Sequence, residues 1–272
     1  MQEGDYLAEQ AKIARHMVLD MIFKAKASHI GCAFSIIDIL IALYFGEILK
    51  IDPKQPQMEN RDIFILSKGH ACTALYATLA LKGFFPRQLL EEYGKDGSRI
   101  PCHVTLSSLP GIEATAGSLG HGLSIGVGIS WNAVNKNKTS RTFVLVGDGE
   151  CQEGSIWEAV MFAGHHKLNN LVLIVDYNNL ETVGNINNIL DLEPLDEKFR
   201  SFGWGVKTIN GHSFPQIKET LSYQGNQPLA IIAKTTKGKG VSFMENMVRW
   251  HGKCPTNEEY EQAKKELIGG SS

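Results

Sequence analysis

Two oxygen-bearing side chains follow two apolar runs that are separated by a segment with helical periodicity. Asp148 lies in a Gly-Asp-Gly turn after the run 142–146, and Asn178 comes thirty residues later, after the run 171–175. A parallel strand–helix–strand unit brings both strand ends to one edge of a sheet, so these side chains are expected side by side. Carboxylate and amide oxygens suit Mg²⁺, which keeps its remaining positions for water and phosphate oxygens.

A glycine-rich turn, GSLGHG at 117–122, precedes a segment of small residues that is predicted to be helical from Leu119 to Asn135. Backbone N–H groups at such a helix start can contact a phosphate, and the helix dipole favours the negative charge. The spacing is not GxGxxG, so a dinucleotide fold is poorly supported. The glycines could equally serve close packing of the helix.

Further candidates are a carboxylate and several imidazoles. Glu153 lies near the start of the helix after Asp148, where the helix N-terminus alone would favour it. A single loop histidine is usually a polar surface group, but histidine can also donate to phosphates or relay protons near neutral pH. Five of the nine histidines lie in segments of interest: His29, His70, His103, His121 and His251.

The run KTTKGKG at 234–240 invites comparison with a phosphate-binding loop. It lacks the GxxxxGK[ST] spacing that such a loop needs. We therefore interpret it as a mobile loop after the last strand.

These residues must be positioned by a larger fold. Short apolar runs that alternate with helical patterns predict an α/β fold, in which helices cover both faces of a mostly parallel sheet. We expect one domain over residues 1–272, with a C-terminal loop and helix. The predicted strands are 63–66, 142–146, 171–175, 205–209 and 229–233.

Composition narrows the class of protein. With 43% hydrophobic residues the chain can form a large core, and a net charge of −2 offers no basic face for nucleic acid. No apolar segment reaches the length of a membrane span, and the first residues do not form a signal-peptide pattern. Five scattered cysteines without a CxxC pair fit a reduced compartment, so a cytoplasmic protein is expected.

The Gly-Asp-Gly turn with its distant asparagine resembles the thiamine diphosphate motif, and the surrounding sequence is similar to the diphosphate-binding half of the transketolase family. The resemblance spans nearly the whole chain, including LSKGHA at 66–71 and WHG at 250–252. It implies thiamine diphosphate and Mg²⁺ as cofactors. Asp148, Asn178 and the backbone carbonyl of Leu180 are the implied metal ligands.

The resemblance also implies roles for other residues. His70 and His251 would flank the diphosphate, and His29 and His103 would line the sugar channel. Glu153 would join a carboxylate network with the partner's activating glutamate, where shared protons raise one pKa. The implied cofactor-binding residues are His70, Gly117, Leu119, Gly149, Glu153, Asn178 and His251, and the implied catalytic residues are His29, His103, Glu153 and His251. The role of His121 is left open.

The sequence departs from the family pattern in three places. The SGHxGGS segment is ASHIGCA at 27–33, the loop after Asn178 carries TVG at 182–184, and His103 precedes Val-Thr in place of Pro-Glu. These changes lie where sugar would bind, so the substrate is expected to differ from an ordinary pentose phosphate.

In the family, a further domain carries the glutamate that activates the cofactor. We therefore expect a C-terminal partner chain and an α₂β₂ assembly that transfers a two-carbon ketol unit from a ketose to an aldose, with or without phosphate groups. The loop after residue 234 is expected to become ordered over the cofactor when the partner is present.

Two alternatives remain at this point. The first is the α chain of a thiamine-diphosphate-dependent 2-oxo acid dehydrogenase, which shares the metal motif but fits the histidine set less well. The second is a non-catalytic scaffold subunit that retains the fold. The intact Asp148, Asn178 and Glu153 argue against the second.

Overall fold

The fold is built on a five-stranded, fully parallel sheet with strand order β1-β2-β3-β5-β4. A computed structural model of the chain describes residues 3–269. The predicted parallel α/β architecture is confirmed, because every predicted strand is present within one or two residues of its expected end. The strands are β1 (Ile63–Leu66), β2 (Thr142–Gly147), β3 (Leu171–Tyr177), β4 (Gly205–Asn210) and β5 (Leu229–Lys234).

Helices cover both faces of the sheet. Successive residues of β2 alternate between two separate apolar cores: Phe143 and Leu145 contribute to one, Val144 and Val146 to the other. The first core contains α1 (Glu3–Ala25), α2 (Ile30–Phe34), α3 (Ile37–Phe45), α4 (Cys72–Lys82), α8 (Phe214–Leu221) and α9 (Asn257–Gly269). The second contains α5 (His121–Asn135), α6 (Gly154–His165) and α7 (Leu195–Ser201).

The structure differs from the sequence prediction at several helices. The N-terminal part of the described chain forms three helices, and α1 and α2 are separated where Lys26 and His29 adopt positive φ values of 51° and 73°. Helix α5 begins at His121, two residues later than predicted, because Gly120 adopts a φ of 87°. The sequence pattern does not predict the short helices α7 and α8. No helix within residues 3–269 has the length and apolar character that a membrane crossing requires.

The segment after β5 is packed in the single chain, and the prediction of a mobile loop is therefore wrong for this region. Lys237 and Trp250 are 1% and 0% exposed. The Gly238 N–H donates to the Gly31 carbonyl at 3.0 Å, which attaches the segment to α2. The apolar contacts of Trp250 with the first core stabilise this position without help from a partner.

Two glycines on α5 permit close approach of the helix to the sheet. A Cβ atom added to Gly126 would lie 2.4 Å from Val144 Cγ2, and one added to Gly122 would lie 2.4 Å from Ser67 Oγ. A Cβ atom added to Gly128 would meet nothing within 4 Å. Packing is thus the reason for glycine at 122 and 126 but not at 128.

This difference gives a matched pair of variants on one helix. Gly126→Ala should lower the free energy of unfolding by roughly 1–3 kcal/mol, because the new methyl group overpacks the core. Gly128→Ala should raise it by about 0.5–1 kcal/mol, because alanine favours the helix. Urea unfolding of the isolated chain measures both values. Equal effects would contradict the packing explanation.

Candidate active site

A cavity of about 320 Å³ lies where β1, β2 and β3 end at their carboxyl termini. It brings together every site residue predicted from the sequence: His29, His70, His103, Gly117, Leu119, Asp148, Gly149, Glu153, Asn178, Leu180 and His251. His121 is exposed and does not line it. Lining residues that the sequence analysis did not assign to the site include Lys68, Glu150, Glu181 and Lys237, whereas Cys32 and Thr182 belong to the segments that depart from the family pattern.

Asp148 is held rigidly at the end of β2. One carboxylate oxygen accepts from the Gly149 N–H at 2.9 Å, and the other accepts from the N–H groups of Asn178 and Asn179 at 2.9 and 2.6 Å. Burial, with the nearby Asp176 carboxylate, raises the pKa of Asp148 to about 6 despite these donors. The neighbouring positive charge is therefore insufficient to stabilise the ionised carboxylate of Asp148 fully. A bound cation would stabilise it.

Asn178 presents its amide in a fixed orientation. Its Nδ2 donates to Asp176 Oδ2 at 3.1 Å, and its Oδ1 accepts from the Leu180 N–H at 3.1 Å. The amide oxygen is consequently turned toward the loop that follows β3, and Asn178 lines the cavity.

Asp176 is completely buried and receives donors from several elements. Lys68 Nζ and Ser35 Oγ donate to its Oδ2 at 2.5 and 2.7 Å, Asn178 Nδ2 shares that oxygen, and Thr235 Oγ1 donates to its Oδ1. Burial alone would raise the pKa of Asp176, but the Lys68 ammonium and the hydrogen bonds hold it below its ordinary value. The pKa of Lys68 is correspondingly raised, against the effect of burial.

Glu150 fastens the glycine-rich turn to the sheet. Its carboxylate accepts from Ser67 Oγ, from the Gly120 N–H at 2.8 Å and from the Gly147 N–H at 3.1 Å. The turn therefore lies beside the end of β2, where its backbone reaches the cavity. Glu153 lies across from this turn, is exposed, and makes no capping hydrogen bond to α6. Its position at the cavity rim is thus not explained by helix capping.

Lys237 supplies a second buried ammonium group. Its Nζ donates to the Leu180 carbonyl at 2.9 Å and lies 3.2 Å from His251 Nδ1. The carbonyl implied as a metal ligand is therefore already in contact with a cation.

Three imidazoles form a cluster at the centre of the cavity. The ring centroids of His29, His70 and His251 lie 5.2–5.4 Å apart, and His103 is 6.3 Å from His29. Burial lowers the pKa of His29 and of His251 to about 4, with further lowering by His251 and Lys237 respectively. Burial also lowers the pKa of His70. These rings are neutral at pH 7 and can each donate one N–H.

Cys32 belongs to the same group. Burial would raise the pKa of its thiol, but Lys237 and His70 lower it to about 7. The sequence offered one signal for it, since Cys32 replaces a glycine of the SGHxGGS pattern.

The oxygen donors at the strand ends fit Mg²⁺. The carboxylate of Asp148, the amide oxygen of Asn178 and the Leu180 carbonyl are all hard ligands. Among the described residues 3–269, Glu181 lines the cavity and its Oε1 is a buried oxygen without a hydrogen-bond donor. An unpaired buried acceptor is costly, and a cation with its water shell would satisfy it.

The Asp176 network yields a stability prediction. Asp176→Asn should lower the free energy of unfolding by about 3–5 kcal/mol, because it leaves the Lys68 ammonium buried without a counter-charge. Asp196→Asn, which breaks the exposed pair with Arg200, is the matched control and should change stability little. Both are measured by urea unfolding at neutral pH. A tolerant Asp176→Asn variant would contradict the structural role of the ion pair.

Comparisons with known proteins agree with this geometry. The family described as transketolase, thiamine diphosphate binding domain, matches residues 7–270. One of the apulose-4-phosphate transketolase subunits of Phocaeicola vulgatus is 42% identical over 95% of this chain and 92% of its own length. A 6-deoxy-6-sulfo-D-fructose transketolase subunit from a Clostridium species is 41% identical over 96% of each chain.

The solved transketolase from Campylobacter jejuni superposes with a TM-score of 0.91 and 34% identity, over 98% of this chain. This chain spans only 43% of that longer transketolase. The fold predicted by resemblance is thereby confirmed. The match over residues 7–270 and the likeness to separate transketolase subunits lead to one conclusion: the chain belongs to the transketolase family, as a thiamine diphosphate binding domain.

Proposed function

We propose that this chain is the N-terminal subunit of a two-chain transketolase that transfers a two-carbon ketol unit from a ketose to an aldose. The observation that carries the proposal is the convergence of Asp148, Asn178 and Leu180 with the histidine cluster in one cavity. Relatives that match nearly end to end are named as transketolase subunits, which supports a partner chain. The assembly is proposed to be an α₂β₂ heterotetramer in the cytoplasm.

In this proposal, Asp148, Asn178 and the Leu180 carbonyl would hold Mg²⁺, and the ion would supply positive charge for the diphosphate. The bound cofactor would supply the carbanion-stabilising chemistry that amino acid side chains lack. His70 and His251, neutral and each with one N–H, donate to phosphate oxygens in the same cavity. The backbone at Gly149 and the turn at Gly117 and Leu119 would complete the contacts with the diphosphate.

The remaining residues act on the sugar and on the partner. His29 and His103 lie together in the cavity, and they would hydrogen-bond sugar hydroxyls and move protons. Glu153 lies at the rim, where a carboxylate of the partner would meet it.

The substrate is proposed to be a modified sugar, because the departures from the family pattern adjoin the histidine cluster. Cys32 Sγ is 3.6 Å from His251 Nδ1, and Thr182 Oγ1 is 3.2 Å from His251 Nε2. Val104 directly follows His103 in the chain. These side chains can therefore change the shape of the space beside the histidine cluster, which contains His29 and His103 as well as His251.

The family assignment disfavours the 2-oxo acid dehydrogenase alternative, because the relatives found are transketolases. Cofactor binding and turnover in the assembled enzyme distinguish a catalytic subunit from a non-catalytic scaffold.

Asp148→Ala should abolish binding of thiamine diphosphate in the presence of Mg²⁺, because it removes the charged metal ligand. Isothermal titration of the chain measures binding, and Asp96→Ala, at an exposed loop position, is the control. Chelation with EDTA should abolish binding to the parent chain, and added Mg²⁺ should restore it. Binding that persists in Asp148→Ala would refute the metal assignment.

Glu153→Gln should lower kcat on the order of 100-fold in the assembled enzyme, because the partner's carboxylate loses the group with which it shares a proton. The chain is co-expressed with the product of the neighbouring gene and assayed for ketol transfer across phosphorylated and unphosphorylated ketoses. Glu158→Gln, also exposed on α6, should retain full activity. Unassisted turnover by this chain alone would refute the two-chain proposal.

A further inference from the structure

Cys32, His70 and His251 bring a sulfur and two ring nitrogens to one point. Their potential ligand atoms all lie within 4.8 Å of one another, and Cys32 Sγ is 3.6 Å from His251 Nδ1. The three residues come from α2 and from two separate 3₁₀ helices, Gly69–Ala71 and Val248–His251. Their proximity is thus a product of tertiary packing rather than of a local sequence motif.

The donor types differ from those of the magnesium ligands. Thiolate and imidazole suit borderline-soft cations such as Zn²⁺ and Co²⁺, whereas the oxygens of Asp148, Asn178 and Leu180 suit Mg²⁺. Tetrahedral Zn²⁺ with ordinary bond lengths separates a sulfur from a nitrogen ligand by about 3.5 Å. The distance between Cys32 Sγ and His251 Nδ1 meets this requirement.

We propose that Cys32, His70 and His251 form a second metal site, which binds Zn²⁺ or Co²⁺ and leaves the fourth position open to water or an anion. All three side chains line the same cavity, and their ligand atoms lie within 4.8 Å of one another. One cavity would therefore discriminate between two kinds of divalent cation by the chemistry of its two donor sets.

Two ammonium groups oppose a cation at this position. Lys237 Nζ is 3.2 Å from His251 Nδ1, and Lys68 Nζ is 3.3 Å from the Cys32 carbonyl. The thiolate of Cys32 offsets one of these charges, and Asp176 compensates Lys68 directly. Lys237 is thus the main electrostatic obstacle, and its removal should tighten metal binding.

The second site is also expected to antagonise the cofactor, and this consequence rests on the proposed function. If His70 and His251 donate to the diphosphate, they cannot use the same nitrogens to bind Zn²⁺. Occupation of the soft site and binding of thiamine diphosphate with Mg²⁺ should therefore exclude one another.

Titration of the cofactor-free chain with Co²⁺ tests the site directly, because a thiolate ligand gives Co²⁺ a charge-transfer absorption in the near ultraviolet. Cys32→Ala should weaken Co²⁺ binding by at least about 100-fold and remove this absorption. Cys102→Ser, at an exposed cysteine outside the cluster, should change neither. Circular dichroism verifies that each variant is folded.

Lys237→Met provides a test with the opposite sign. It should tighten Co²⁺ binding by about tenfold or more, because it removes a positive charge beside the ligands. An absorption band that survives in Cys32→Ala, or no band in the parent chain, would overturn the soft-metal site.

Competition separates this proposal from the proposed function. Thiamine diphosphate with Mg²⁺ should raise the apparent Kd for Co²⁺, and Zn²⁺ should in turn weaken cofactor binding. Co²⁺ binding through Cys32 without competition would support the site and overturn the antagonism. Cofactor binding without any Co²⁺ band would overturn the site and leave the proposed function intact.

Discussion

The hydrogen bonds to the buried carboxylate of Asp176 hold the rest of the site in position. It accepts hydrogen bonds from Ser35, after α2, from Lys68, after β1, from Asn178, after β3, and from Thr235, after β5. The ends of three strands and one helix are thereby fixed to a single anion. A buried carboxylate is costly unless it has hydrogen-bond donors and a counter-charge. The donors that keep Asp176 ionised are therefore themselves held in place.

Electrostatics inside the cavity follow from this arrangement. Anionic side chains lie at the strand ends, and ammonium groups approach from Lys68 and Lys237, while the imidazoles between them are kept neutral by burial. The result is a polar interior in which opposite charges lie close together and are held by hydrogen bonds. Such preorganised dipoles suit the binding of a doubly charged metal beside a polyanion, because little reorganisation is required when the ligands arrive.

Much of this could be predicted from sequence, for definable reasons. The apolar runs indicated the strands, and parallel topology then required Asp148 and Asn178 to be neighbours. The same reasoning would have found Lys68, which lies two residues after the end of β1, and Asp176, a lone charge at the end of an apolar run. The environments of Lys237 and Cys32 could not be predicted from the strand pattern. They depend on contacts between distant residues such as Cys32 and His251, which are 219 positions apart. The interpretation of 234–240 as a mobile loop was wrong because the burial of Lys237 depends on tertiary contacts, such as the hydrogen bond from Gly238 to Gly31, that the local sequence does not indicate.

The packed segment after β5 has a thermodynamic consequence for assembly. Trp250 and Lys237 are already buried in the isolated chain, so the conformational entropy of this segment is lost when the chain folds. In the proposed assembly, a partner chain would contact a segment that is already folded. Association would then not carry the entropic cost of ordering this segment. The entropic cost of ordering residues 235–251 therefore lowers the stability of the folded chain and does not lower the affinity of the proposed association.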